Sequence, residues 1–194
     1  MGLTGAVSGL APLTTTGCRS ASRVVTVKLG PMITGLAKRH LAAAAIVQAQ
    51  PGEILVFDHR GRTDVSGWGG LLSRGAIAKG IAGVIIDGAC RDVDESRELG
   101  LPVFGRGTVP VTARGRIAEH DCNCPVMVRN VVVNPGDWAI ADGSGVVFIG
   151  QDRIDEILLN AERIQAKETV MIAAIKAGTP IDQVLGANYE DMLR

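Results

Sequence analysis

Between Gly67 and Gly107 the chain reads GWGGLLSRGAIAKGIAGVIIDGACRDVDESRELGLPVFGRG. A glycine-rich turn, a helix, an apolar run and an Arg-Asp pair follow one another with only tight connections between them. Gly67, Gly69 and Gly70 allow close backbone approach and open a helix predicted over Leu71 to Lys79. The first N–H groups of such a helix lack intrahelical partners and, with the positive end of the dipole, suit a carboxylate or phosphate. Ile81 to Ile86 is short and rich in β-branched residues, and it is bounded by Gly80 and Gly88, so it reads as a buried strand. In an α/β arrangement the end of this strand would stand beside the glycine-rich helix start. Asp87-Gly88-Ala89-Cys90-Arg91-Asp92 therefore falls where ligands gather in α/β sheets, outside the carboxyl ends of strands. There Asp92 could hold a hard cation, and Arg91 could clamp a carboxylate with two parallel hydrogen bonds. The plainer alternative makes Asp92 the N-cap of a short helix, Val93 to Leu99, with Arg91 solvated.

With 46% hydrophobic and 21% charged residues among 194, the chain is expected to form one globular α/β domain with a sizeable core. Twenty basic residues balance twenty acidic ones, so nothing in the charge favours nucleic acid or an anionic membrane. An aromatic content of 3% leaves little for base stacking. Cys18, Cys90, Cys122 and Cys124 are too few and too irregular for a disulfide framework, and Cys90 reads as a packed residue because no histidine lies near it in sequence to activate a thiolate. Neither a secretory leader nor a membrane-length apolar run is present, which makes the cytoplasm the expected location.

In order, residues 1–21 read as a loose lead-in, 22–150 as the main α/β domain, and 151–194 as a C-terminal helix and tail. Arg23 to Leu29 is a predicted strand, and Thr34 to Gln50 a helix with Leu36, Leu41, Ala44, Ala45 and Val47 toward the core. His40 lies in its polar part, either as a surface residue or as a ligand. Pro51-Gly52 turns into a strand ending at Asp58, and QPGEILVFDHRG is echoed by NPGDWAIADGSG, whose strand ends at Asp142. The polar loop from Asp58 to Asp64 either connects or faces substrate, with Arg60 or Arg62 reading a second carboxylate. Strands are expected at Pro102 to Gly105, Val109 to Arg116 and Pro125 to Val133, and a strand pair over Trp138 to Ile149. Arg106, Arg114 and Arg116 form a basic cluster. Asp152 and Asp155 read as a cap pair for a long helix ending near Ala177, and Tyr189, Met192 and Leu193 are available for docking.

Taken together, RVVTVKL, QPGEILVFD, the 67–107 stretch and NPGDWAIADGSGVVFI resemble the family of the regulator of ribonuclease activity A and the class II 4-hydroxy-4-methyl-2-oxoglutarate / 4-carboxy-4-hydroxy-2-oxoadipate aldolases. The resemblance implies a swivelling β/β/α domain, a β-rich core flanked by helices, assembled as homotrimers or homohexamers with sites at subunit interfaces. It implies that Asp92 binds a divalent metal, Mg2+ or Mn2+, and that Arg91 with the turn at Gly70, Leu71 and Leu72 holds the pyruvate part of a 2-oxo acid. Relative to the family the chain looks shortened at its start. In the aldolases an acidic residue assists proton transfer at the position that falls on Gly70 here, and that departure leaves the role open to Asp58, Asp64, Asp87 or His59. The expected activity is retro-aldol cleavage of a 4-hydroxy-2-oxo dicarboxylate, decarboxylation of oxaloacetate, or lyase chemistry on another 2-oxo acid. The alternative is a non-catalytic regulator that acts by binding a protein partner.

Overall fold

The computed structural model describes residues 4–14, 17–33 and 40–186. They form two compact units, Thr4–Gln151 and a helical unit from Asp152 onward. The first contains β1 (Ala6–Val7), β2 (Ala11–Pro12), β3 (Ser20–Pro31), α1 (Ala43–Gln48), β4 (Ile54–Asp58), α2 (Gly70–Lys79), β5 (Gly83–Cys90) and α3 (Val93–Glu98). It continues with β6 (Val103–Thr108), β7 (Ile117–Cys122), β8 (Val126–Val128), β9 (Val131–Val133), β10 (Trp138–Asp142) and β11 (Gly145–Ile149). The second unit contains α4 (Ile154–Lys176) and α5 (Ile181–Val184).

This is the β-rich α/β architecture with flanking helices that the sequence leads one to expect. The strands run in the order β1-β11-β10-β3-β4-β5-β6-β2, with β7 also pairing with β3, and β8 and β9 form a separate hairpin. β3 to β6 are parallel, which requires crossovers, and α1, α2 and α3 supply them. Both faces of this parallel core are buried, so successive side chains feed opposite clusters. Val25, Val27, Leu55, Phe57, Val84 and Ile86 pack with Ala45 of α1 and Ala76 of α2. Val24, Ile54, Val56, Ile85 and Phe104 pack instead with residues of β1 and β8 to β11. The two echoed turn-strand units, β4 and β10, flank β3, one parallel and one antiparallel, and each follows a glycine with positive φ, Gly52 or Gly136.

Several expectations are corrected. Residues 1–21 are not a loose lead-in where described: β1 pairs with β11, β2 pairs with β6, and buried Thr14 donates to Leu101 O at 2.7 Å. Two-residue strands have no periodicity to read. The strand predicted to end at Ile86 runs on to Cys90, with a register shift between Ile86 and Ala89. Val109 to Arg116 forms no strand; the next one is β7. Pro125 to Val133 is a tight hairpin of three-residue strands, with Arg129 at φ 56 in its turn. The helix predicted from Thr34 is described only as Ala43–Gln48, with 34–39 outside the described residues, and Val47 faces outward. Arg153, not Asp152, is the N-cap of α4, and no side chain caps it. Leu158, Leu159, Val170 and Ile172 of α4 are exposed, while Tyr189, Met192 and Leu193 lie outside the described residues.

Phe57 is fully buried and meets Trp68 edge-on, with ring centroids 5.4 Å apart. Phe57→Ala should cost about 3–5 kcal/mol, a large share of the stability of a domain this size, read as a lower urea midpoint at unchanged slope.

Candidate active site

α2 begins without a side-chain cap of its own, because Gly69 at its N-cap has none to offer. The cap comes from the end of β5. The Gly70 N–H donates to Asp92 Oδ2 at 2.9 Å. Asp92 is the N-cap residue of α3 but does not cap that helix with its side chain; it adopts a left-handed conformation, φ 56 and ψ 38, that turns its carboxylate toward α2. A non-glycine residue held there costs on the order of 1 kcal/mol, which the surrounding contacts must over-determine. Asp92 is thus the N-cap residue of α3, as the plainer reading has it, but its side chain bonds across the fold to the start of α2.

The neighbouring backbone explains how the two ends are held. Gly67 N–H donates to Ala89 O at 2.9 Å and Arg91 N–H to Trp68 O at 3.0 Å, so the glycine turn runs alongside the strand end. Beneath it a relay of buried groups connects both helices. Trp68 Nε1–H donates to Ser73 Oγ at 2.8 Å, Ser73 and Ser96 hydroxyls are 2.8 Å apart, and Ser96 Oγ donates to Asp92 O at 3.2 Å. A Cβ at Gly69 would lie 2.9 Å from Asp92 Oδ2 and 3.1 Å from Arg91 Nε, so glycine is what lets the turn approach the pair.

Gly69, Leu71, Leu72, Arg91, Arg114 and His40 are among the residues lining a cleft of about 420 Å³. Asp92 does not line it but stands beside it against Gly69 and Gly70. The Leu71 and Leu72 N–H groups have no acceptor among the described residues, and Asp92 Oδ1 accepts no hydrogen bond there. Arg91 is half exposed, with Nε 3.5 Å from Asp92 Oδ2, a loose pairing that leaves the guanidinium available to a ligand. Arg116 Nη1 donates to the carbonyls of Thr112 and Arg114 at 3.2 and 3.4 Å and shapes the loop that carries Arg114.

The other residues singled out in the sequence lie elsewhere. His59 is buried; its Nε2 donates to Val65 O at 2.8 Å, and burial lowers its pKa, which keeps the ring neutral. Both oxygens of Asp87 are engaged, by Arg106 Nε at 2.6 Å and Arg129 N–H at 2.9 Å. Asp58 accepts from Arg60 N–H at 3.0 Å and Met127 N–H at 3.4 Å. These two carboxylates pin the β8–β9 hairpin to the ends of β4 and β5. Asp64 is paired on the surface with Arg62, which holds its carboxyl down at about 2 and commits Arg62 in turn. None of Asp58, His59, Asp64 and Asp87 lines the cleft, nor does Arg60 or Arg62. Arg114 of the basic cluster does, whereas Arg106 is spent on Asp87; nothing in the sequence distinguishes the two.

Residues 1–148 match the RraA-like family, described as Aldolase/RraA. The chain belongs to that family. Among its relatives, Protein DlpA of Legionella pneumophila is 33% identical over 144 residues, covering 74% of this chain and 23% of the relative. A protein of Halalkalibacterium halodurans named "Putative 4-hydroxy-4-methyl-2-oxoglutarate aldolase" is 32% identical over 131 residues, 68% of this chain and 62% of its own. The chain thus spans less than two thirds of the length of these curated relatives. Among solved structures, an uncharacterized protein from Pseudomonas syringae matches with TM-score 0.84 and 29% identity, over 95% of this chain and 86% of its own. Streptomyces coelicolor RraAS2, titled an unusual member of the RNase ES inhibitor RraA protein family, matches with TM-score 0.80 and 27% identity, over 89% and 87%. No helix among the described residues is long and apolar enough to cross a membrane.

Within this RraA-like site Cys90 is a packing residue. Burial, with the nearby Asp92 charge, pushes its thiol up to about 12. A thiol held there has almost no thiolate at neutral pH. Iodoacetamide at pH 8 should leave Cys90 unlabelled in the native protein and label it after denaturation, as read by peptide mass spectrometry.

Proposed function

We propose that this chain is a divalent-metal-dependent lyase acting on a 2-oxo acid, by retro-aldol cleavage of a 4-hydroxy-2-oxo dicarboxylate to pyruvate, by decarboxylation of oxaloacetate, or both. The observation that carries this reading is the convergence of three groups at or beside the cleft: the Leu71 and Leu72 N–H groups, which have no acceptor among the described residues, the Arg91 guanidinium, and the Asp92 carboxylate, one oxygen of which accepts no hydrogen bond among those residues. Relatives that carry an aldolase name support it.

The donor set suits a hard ion. Among the described residues no group of three or more His, Cys, Asp and Glu is poised to hold a metal. Mg2+ and Mn2+ are instead commonly held by one or two carboxylates with substrate oxygens and water, and Asp92, whose Oδ1 accepts no hydrogen bond among the described residues, would supply one such carboxylate. When bound, the metal supplies Lewis-acid stabilisation of the oxygen that becomes negative as the carbon–carbon bond breaks. The protein's own residues do the rest. The substrate carboxylate is received by the Leu71 and Leu72 N–H groups at the positive end of α2. Arg91 adds a fixed positive charge beside the developing enolate. Arg114, which also lines the cleft, reads the distal carboxylate of a dicarboxylic substrate, the role that the sequence offered to Arg60 or Arg62.

A non-catalytic, protein-binding regulator is the second reading. The absence of an acid at Gly70 and the titles of similar structures, one of the RNase ES inhibitor RraA protein family and one an RNA-processing inhibitor, favour it. The exposed apolar residues of α4 support assembly as a homo-oligomer under either reading.

Pyruvate release from oxaloacetate and from 4-hydroxy-4-methyl-2-oxoglutarate decides between them. Turnover should require Mg2+ or Mn2+, and Asp92→Ala should lower kcat/KM by about two orders of magnitude or more. Arg114→Ala should raise KM about tenfold with a smaller effect on kcat, because a distal ion pair binds ground and transition states alike. A folded protein that turns over neither substrate, and whose melting temperature ignores Mg2+ with oxalate, would be a binding protein.

A further inference from the structure

We propose that Glu95 is the acid–base residue of this site, the group that takes the proton from the substrate hydroxyl and returns it to the pyruvate carbon; this rests on the lyase reading above. α3 sets Glu95 three residues after Asp92, on the same side of the helix. Glu95 Oε1 is held by Arg74 Nε of α2 at 2.5 Å, so the carboxylate is clamped between the two helices. Its other oxygen accepts no hydrogen bond among the described residues. A Cβ built on Gly70 would lie 1.8 Å from Glu95 Oε2 and 3.3 Å from Asp92 Cβ. The Glu95 carboxylate thus occupies the space that any side chain at position 70 would fill, beside Asp92 and over the start of α2. Glycine at 70 and glutamate at 95 are two halves of one arrangement: the carboxylate arrives from α3 because α2 leaves the space empty.

The chemistry requires such a group, and the four candidates that the sequence offered for it are committed elsewhere. Asp58 and Asp87 use both oxygens, Asp64 is paired with Arg62 on the surface, and the His59 ring is buried against Val65. Glu95, like Asp92, stands beside the cleft and not in its lining, and its side chain is one-third exposed, enough to exchange protons with water. In the retro-aldol direction its carboxylate removes the proton of the C4 hydroxyl. The O–H electron pair becomes the second bond of the new C4 carbonyl, the C3–C4 bond breaks, and its electron pair becomes the pyruvate enolate. Protonated Glu95 then delivers the same proton to C3, giving the methyl group of pyruvate and regenerating the carboxylate. No proton is gained and nothing is oxidised or reduced. Decarboxylation of oxaloacetate needs no base to start, because carbon dioxide leaves with its own carbonyl formed, so Glu95 matters less there.

The test separates proton transfer from binding. Exchange of the pyruvate methyl protons in D2O, followed by proton NMR with Mg2+, reports the proton-transfer half, and the melting-temperature rise with Mg2+ plus oxalate reports the binding half. Glu95→Gln should slow both methyl exchange and retro-aldol cleavage by about 100-fold or more, with the oxalate shift retained and oxaloacetate decarboxylation reduced less than about tenfold. Because a half-exposed ion pair adds little stability, this variant should fold. Moving the carboxylate to the other helix, as Gly70→Asp combined with Glu95→Ala, should recover about tenfold or more of the lost exchange. A Glu95→Gln protein that keeps the oxalate shift and exchanges within about threefold of the unmodified chain overturns the assignment. If the unmodified chain shows neither oxalate shift nor exchange, the lyase reading itself fails and takes this assignment with it.

Discussion

One hydrogen bond, from the Gly70 N–H to Asp92 Oδ2, ties the start of α2 to the end of β5. It gives α2 the cap that Gly69 lacks, and it fixes an acidic residue against the positive end of a helix dipole. The left-handed backbone of Asp92 and the missing side chains at Gly69 and Gly70 both serve it: one turns the carboxylate inward, and the others clear the way. With this bond made, Arg91, Asp92 and two unengaged N–H groups face a common edge. The Gly67 N–H to Ala89 O and Arg91 N–H to Trp68 O bonds hold the same two segments side by side.

Rigidity behind that edge comes from the sheet. Four parallel strands buried on both faces leave no slack at their carboxyl ends, and the Trp68–Ser73–Ser96 relay carries the constraint into both helices. Satisfying those strand ends also consumes acidic residues. Asp58 and Asp87, which look chemically available from their place after apolar runs, accept backbone and guanidinium donors that anchor the β8–β9 hairpin. A carboxylate at a strand end is thus as readily a brace as a reagent, and only its partners tell which.

The legible part of the fold followed from local rules. Pro-Gly turns, β-branched runs and the glycine punctuation around α2 marked β4, α2, β5, β10 and β11 close to where they lie. Elements too short to show a period were missed: β1, β2 and the β8–β9 hairpin depend on pairing partners far along the chain. The stretch Val109 to Arg116, β-branched enough to suggest a strand, is instead the loop that brings Arg114 to the cleft. Val47 shows the limit of helical periodicity in a short helix, where half a turn of error, about two residues, reverses inside and outside.

By itself the sequence determined the helix–strand unit from Gly67 to Asp92 and the return of Arg91 and Asp92 to the glycine turn, because spacing and backbone freedom are local properties. Only the tertiary structure decided which charged residues have oxygens or nitrogens to spare. Asp87 and Glu95 are both acids a few residues from Arg91, yet one is sealed under Arg106 and the other extends into the space above Gly70. That difference depends on what other segments place beside each carboxylate, and contacts between distant segments are made in three dimensions.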